Sequence, residues 1–350
     1  MRRLGSKRVP SRPARYRRSD CGSGFTDVHQ YQIRKRGRQL KILVTGGAGF
    51  IGSNLVRRLL SDGVERVTVI DDFFSGFRSN LDGVDVEIIE GSILDPEALT
   101  RAAADAHAIV HLAARPSVPR SIKDPLASHH ANATGSLAVL EAARASHSHV
   151  VLASSSSVYG ANPVLPRVED QRPMPISPYA VSKLAAESYA LSYQAVYGVS
   201  VLPFRFFNVY GPRQAAGHAY AAVVPEFTSR ALRGEALTVH GDGLQTRDFT
   251  FVDTVTEVLS LAAREQRRSA EPVNLALGSR SSLLDVIEMI ERETGRPLLI
   301  EHTAVRPGDV RDSHADTARL RRLFPEITAV PLEQGITATV DWMRQSLLAR

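Results

Sequence analysis

Apolar order begins at residue 40. Leu40-Lys41-Ile42-Leu43-Val44-Thr45 is a short apolar run that ends in glycines, the pattern of a strand covered on both faces. Similar runs follow at Arg66–Ile70, Val86–Ile89, Ala108–Leu112 and His149–Ala153. Between them lie helical stretches, among them Ser53–Leu60 and a long one from Pro178 to about Tyr197. Ser177 is placed to cap that long helix at its start and Gly198 at its end. Strands alternating with helices predict a parallel sheet with helices on both faces. The expected fold is α/β: a Rossmann-type doubly wound parallel sheet with a smaller C-terminal α/β substrate-binding domain. Val273–Ala276 reads as a strand, Leu283–Thr294 as a helix, and Trp342 with Leu347-Leu348 as part of a terminal helix. The expected division is 40–205 for the sheet domain and 206–350 for the second, with the chain free to cross back between them.

The first strand runs into Gly46-Gly47-Ala48-Gly49-Phe50-Ile51-Gly52 and then a helix. Strand, glycine turn and helix is the arrangement that seats a dinucleotide, because backbone N–H groups and a helix N-terminus meet the diphosphate. The second strand ends in Asp71, nineteen residues after Gly52. A carboxylate there can accept from both ribose hydroxyls and repels a 2′-phosphate, so NAD is expected rather than NADP.

Tyr179 and Lys183 are spaced i, i+4 on the long helix and so share one face. A free phenol has a pKa of ~10, and lowering it to ~7 takes about 4 kcal/mol of preferential stabilisation of the anion. A lysine cation one turn away and the positive ring of NAD⁺ have the right sign to supply it. Such a phenolate can take a hydroxyl proton while hydride leaves the same carbon. The run Ser154-Ser155-Ser156-Ser157, at the end of the fifth strand, offers hydroxyls to hold the reacting oxygen.

Charge changes the picture only once it is located. The net +6 comes from residues 1–39, where twelve Lys/Arg face only Asp20 and Asp27. The remainder is mildly acidic, so the net positive charge is no evidence for a nucleic-acid enzyme, and no nucleic-acid partner is expected. Residues 1–39 are Arg-, Ser-, Gly- and Pro-rich without apolar periodicity and are expected to be a disordered basic leader. One cysteine, Cys21, leaves no intrachain disulfide and fits a cytoplasmic setting. No apolar run suggests a membrane span. The eleven histidines lack metal-ligand spacing; pairs such as His129-His130 and His147/His149 are expected at the surface, and no metal site is expected.

Taken together, these motifs resemble the extended short-chain dehydrogenase/reductase family over residues 40–345. The resemblance includes Arg205-Phe206-Phe207-Asn208-Val209-Tyr210-Gly211-Pro212-Arg213, Gly241-Asp242-Gly243 with Arg247-Asp248-Phe249, and Arg306-Pro307-Gly308-Asp309. It implies a cofactor site of Gly46, Gly49, Phe50, Ile51, Gly52, Asp71, Ser75, Gly76, Ser92, Ile93, Leu112, Ala113 and Ala114, with Tyr179 and Lys183. Ser155 aligns with the catalytic hydroxyl. For a UDP-sugar it implies Ser117, Arg120, Ser155, Ser156, Asn208, Ala222, Val223, Arg247, Arg306, Asp309 and Ser313, the arginines suiting a diphosphate.

Within that family the segments 116–122 and 219–225 look most like UDP-N-acetylglucosamine 4-epimerases. Ser313, where some relatives carry a bulky tyrosine, leaves room for a 2-N-acetyl group. The implied reaction is C4 epimerisation of a UDP-hexose (UDP-GlcNAc/UDP-GalNAc, with UDP-Glc/UDP-Gal as a second pair) through a transient 4-keto sugar, in a homodimer. Other nucleotide-sugar enzymes of the family (a 4,6-dehydratase, a reductase, an epimerase of a different sugar) are the alternative, and a non-catalytic NAD-binding regulator a distant one. Dehydratases and decarboxylases of the family carry acids near Ser156 and Ser157, where this chain has hydroxyls. Ser92 and Arg115 depart from the usual residues beside the cofactor.

Overall fold

The computed structural model of the chain describes residues 40–216, 222–277, 280–305 and 311–348. The basic leader lies outside them. Residues 40–350 form one compact unit. Its centre is a seven-stranded parallel sheet in the order β3-β2-β1-β4-β5-β6-β11, from β1 (Lys41–Thr45), β2 (Arg66–Asp71), β3 (Glu87–Glu90), β4 (Ala108–His111), β5 (His149–Ser155), β6 (Val201–Phe206) and β11 (Val273–Leu275). β1 and β4 are buried along their whole length, as continuous apolar runs in a two-faced sheet require.

Helices cover both faces. On one lie α1 (Phe50–Ser61) and α8 (Val252–Glu265), whose Leu55, Leu59, Val258 and Leu259 share a core with β1 and β6. On the other, α2 (Pro96–Ala103), α5 (Gly135–Ser146) and α6 (Pro178–Tyr197) pack with Leu43, Ile109 and Val150. Ahead of α5 come α3 (Val118–Lys123) and α4 (Pro125–His129), joined to it by a π-helical turn at His130–Thr134. Ser177 caps α6 by accepting from the Ala180 N–H at 3.2 Å, and Gly198 ends it in a left-handed conformation.

The boundary expected at residue 206 is crossed twice. Segments 252–275 and 318–324 return to the sheet side, and only the remainder beyond residue 206 builds a second layer. That layer holds three two-stranded pairings: β7 (Asn208–Tyr210) with β10 (Phe249–Phe251), β8 (Leu237–His240) with β13 (Ile300–Thr303), and β9 (Thr246–Arg247) with β12 (Ser281–Ser282). Helices α7 (Val223–Arg233), α9 (Leu283–Thr294) and α11 (Leu332–Leu348) close around them over a core that includes Phe227, Val239, Ile287 and Val340; α10 (Ala318–Leu323) packs by the sheet edge.

Two histidines depart from the surface placement. His149 is buried, with Nδ1 2.9 Å from the Ser200 hydroxyl. His111 is buried between the Thr45 hydroxyl at 2.8 Å and the Ser136 hydroxyl at 2.9 Å. Partners far away in sequence hold both nitrogens of His111 and the Nδ1 of His149, whose Nε2 is buried without a partner, and no local pattern reveals this. Among the described residues no helix is long and apolar enough to cross a membrane, and no group of His, Cys, Asp or Glu is arranged to hold a metal ion.

Candidate active site

The glycine turn is built by close approach. Gly46 adopts φ +72°, and a Cβ there would lie 2.7 Å from the Ala113 nitrogen. A Cβ on Gly52 would lie 2.2 Å from the Gly46 carbonyl oxygen. Helix α1 therefore starts hard against the end of β1. Its N-cap, Gly49, offers no side-chain cap, and its first turn holds no acid. The N-terminal N–H groups are left to meet an anion.

Asp71 braces this turn. Its two carboxylate oxygens accept from the Ala48 N–H at 2.9 Å and the Phe73 N–H at 2.8 Å. Burial pushes the carboxyl above its ordinary value, and those two N–H bonds oppose the shift. Gly46, Gly49, Phe50, Ile51, Gly52, Asp71, Ser75, Gly76, Ser92, Ile93, Leu112, Ala113, Ala114, Tyr179 and Lys183 all line one cavity of about 470 Å³. Arg115, noted in the sequence as a departure beside the cofactor, lines it too, as do Phe74 and His130, which the sequence reading did not include.

Tyr179 and Lys183 stand at the inner end, both on α6. Lys183 Nζ donates to the Ala153 carbonyl at 2.9 Å, and burial pulls its ammonium down to about 8. Burial pushes the Tyr179 phenol up, and a hydrogen bond with the Ser155 side chain opposes that shift. Alternation along β5 sends Ser154 to the other face. There its hydroxyl donates to Glu187 at 2.7 Å. Glu187, one turn beyond Lys183, is gripped by Arg205 through two bonds at 2.7 and 3.0 Å, both side chains buried. The nearest acid along the helix is thus neutralised by a guanidinium and leaves the Lys183 charge alone. In sequence Arg205 stood out only as part of a motif.

A chain of hydrogen bonds fixes the backbone around Tyr179. Its N–H donates to the Ser121 hydroxyl at 3.0 Å, and its carbonyl accepts from Ser182 at 2.7 Å. Asn132, in the π-helical turn, donates to Ser182 at 3.0 Å and accepts from the Arg115 N–H at 2.8 Å. Asn132 carried no sequence signal read here, since its partners lie 17 and 50 positions away. His111, beneath the same strand end, is pulled down to about 3 by burial and the nearby Lys183 charge, so it is neutral.

A second cavity, of about 890 Å³, opens on the far side of Tyr179. Ser117, Ser155, Ser156, Asn208, Ala222, Val223 and Arg247, all named for the substrate in the sequence, line it. Arg230, Arg233, His240 and Gln245 also line it, without any motif to announce them. Tyr179, Ser155, Phe206, Phe207 and Val209 belong to the walls of both cavities. Arg120 and Ser313 belong to neither wall. The Arg120 guanidinium lies 6.0 Å from the Phe74 ring centre, toward the first cavity, and Ser313 is held by its N–H on the Thr246 carbonyl at 3.1 Å. Arg306 and Asp309 lie outside the described residues.

Residues 42–278 match the NAD dependent epimerase/dehydratase family. The chain is 37% identical over 313 residues to a UDP-glucose 4-epimerase of Mycolicibacterium smegmatis, covering 87% of this chain and 99% of that one. It is 33% identical over 316 residues to UDP-glucuronic acid decarboxylase 1 of Xenopus tropicalis, covering 88% of this chain and 73% of that one. Its fold superposes with a TM-score of 0.84 on a UDP-N-acetylglucosamine 4-epimerase from Methanobrevibacter ruminantium in complex with UDP-N-acetylmuramic acid. That protein is 34% identical, with 88% of this chain and 99% of that chain covered.

Proposed function

This chain belongs to the NAD dependent epimerase/dehydratase family, and from that premise we propose that it inverts C4 of a UDP-hexose, with UDP-GlcNAc/UDP-GalNAc as the first pair and UDP-Glc/UDP-Gal as the second. One observation carries this reading. The corner shared by the two cavities offers Tyr179 and the Ser155 hydroxyl, with Ser156 and Ser157 on the substrate side. The acid on the substrate-side wall among the described residues, Glu226, is ion-paired with Arg230 at 2.7 Å. Loss of water from C5–C6 needs an additional acid or base. Oxidation and reduction at one carbon needs only the phenol.

The cofactor cavity suits NAD: an uncapped helix start, glycines packed too closely for side chains, and a carboxylate at the end of β2. NAD, when bound, supplies a reversible acceptor for the C4 hydride. Tyr179, as phenolate, takes the proton of the C4 hydroxyl, and Ser155 shares a hydrogen bond with that oxygen. Lys183, tied to Ala153, holds a cation beside the phenol. Asn208 and Arg247, with Ser117 and the backbone at Ala222 and Val223, grip the UDP and flank the sugar; Arg306 and Asp309 belong to the same grip. The transient 4-keto sugar turns about its diphosphate within the larger cavity, and Tyr179 returns the proton on the opposite face. Arg120 and Ser313 have no contact role in this reading.

Exposed apolar side chains on α3, α4 and α6 (Ile122, Leu126, Val181, Val196) support a homodimer through these helices. Leu126→Asp with Val181→Asp is expected to turn a sedimenting dimer into monomer.

The deciding experiment incubates the pure protein with each UDP-sugar and reads the mixture by NMR and mass spectrometry. An equilibrium of C4 epimers supports the proposal. A product lighter by water or carbon dioxide, or lasting NADH, assigns the chain to another branch of its family.

A further inference from the structure

The cofactor cavity is bridged at its rim by one side-chain contact. β2 and β4 flank β1, whose glycine turn is the floor. Phe74 follows β2 and Arg115 follows β4, and both line the cavity. The Arg115 guanidinium carbon lies 4.1 Å from the centre of the Phe74 ring, so the pair reaches from one lip to the other above the turn.

Each lip is fixed at its base. Asn132 accepts from the Arg115 N–H at 2.8 Å and donates to its carbonyl at 3.2 Å. Asp71 and Asp72 accept from the N–H groups of Phe73 and Phe74 at 2.8 and 3.0 Å. Only the two side chains are left to move. Phe74 is 49% exposed although it walls a cavity, as a ring at a rim is. Among the described residues Arg115 has no ion pair, so the aromatic face is what holds its guanidinium over the cleft. A guanidinium on an aromatic face at such a site is a weak bond, enough to bias the rim closed and easily broken.

Resting on the cofactor-site reading above, we propose that Arg115 and Phe74 form a latch across the dinucleotide cleft that sets how fast NAD exchanges. The contact opens for the dinucleotide to pass and reforms whether or not one lies beneath. It therefore slows entry and departure alike and leaves equilibrium affinity nearly unchanged. Epimerisation returns its hydride each cycle, so the cofactor has no need to leave between turnovers. A slow rim also keeps water and solutes from a half-finished reaction.

The test uses ligand-free full-length protein and NADH fluorescence in stopped flow, measuring association and then displacement by excess NAD. Phe74→Ser, Arg115→Leu and the double variant are compared with the unaltered chain. Each single change is expected to raise both rates roughly three- to five-fold, the size of one cation–π contact at a partly exposed site. The double variant is expected to be no faster than Phe74→Ser, which removes the Arg115 contact together with the longer one to Arg120, 6.0 Å from the ring centre. NADH binding at unchanged rates, or additive effects, overturns the latch. So does faster release with unchanged association, which makes Arg115 a direct cofactor contact instead. An unaltered chain that takes up no NADH overturns the cofactor-site reading, and the latch with it.

Discussion

The Lys183 ammonium is bonded to the Ala153 carbonyl at 2.9 Å, at the strand end that also delivers Ser155. One hydrogen bond thus joins the helix bearing the phenol to the strand bearing the hydroxyl. It does so with a charge that is almost wholly buried.

That charge costs stability in the ligand-free protein. Burial lowers the Lys183 pKa from 10.5 to about 8. Below pH 8 the folded and unfolded chains both carry the proton and the cost is full; it falls as pH rises from about 8 to 10.5. Lys183→Met is expected to stabilise ligand-free protein by about 2–3 kcal/mol at pH 7. The gain should vanish near the upper end of that window. Urea unfolding at pH 7 and pH 10 reads both. A variant less stable at pH 7 would mean that the Ala153 bond outweighs the burial.

The Tyr179 phenol lies above its ordinary value without ligand, because burial dominates the Ser155 hydrogen bond. Binding NAD⁺ adds a positive ring beside it, and NADH does not. Phenolate absorbance, taken as the difference from Tyr179→Phe, is expected to appear at lower pH with NAD⁺ than with NADH. Equal titrations would remove the cofactor from the activation of the base. Tyr179→Phe itself is expected to lose roughly a hundred-fold or more in turnover while still binding NAD.

His111 and His149 predict acid sensitivity. Burial lowers them to about 3 and about 4, from 6.5 in each case. The unfolded chain takes up the protons first, so stability is full above about pH 6.5 and declines as pH falls toward those values. At pH 5 each histidine is expected to cost about 2 kcal/mol relative to pH 7. Denaturant midpoints of His149→Gln across that range should fall less steeply than those of the unaltered chain, and parallel curves would count against the assignment.

Asp71 braces the glycine turn, and the proposed cofactor site gives it a second duty, receiving the ribose. Asp71→Asn removes the charge while keeping one acceptor for the turn. Affinity for NAD is expected to drop on the order of ten-fold, the size of one charge-assisted hydrogen bond, and preference over NADP to narrow. Calorimetry with both dinucleotides measures this. Unchanged preference would limit Asp71 to bracing.

Reading the chain before its fold worked best where one side of the problem is local. β1, β2, β4 and β5 are continuous apolar runs because both their faces are covered, and α6 announces itself through Ser177, Pro178 and Gly198. The glycine turn is visible because only glycine tolerates such approach. The pairings of β7, β8 and β9 were not legible: each is two to four residues long, with partners 34 to 63 positions away. Arg230 and Arg233 reach the larger cavity only because α7 packs as it does. The Arg115–Phe74 contact joins two loops that sequence gives no reason to connect. His149 looked like a surface residue because its partner Ser200 lies far along the chain, just ahead of the next strand of the sheet.

The return of residues 252–275 to the sheet bears on protein engineering. α8 packs on α1, with the Ser260 hydroxyl 2.5 Å from Asp62, and β11 seals the edge beside β6. A chimera that transplants everything after residue 206 from a homologue exchanges part of the host's nucleotide-fold interior along with the sugar pocket. Grafts that retain the host's 252–275 and 318–327, which supplies Leu320 and Phe324 to the same core, and swap only 207–251, 280–317 and 328–348 would keep that buried interior, and so offer the cleaner route to altered sugar selectivity.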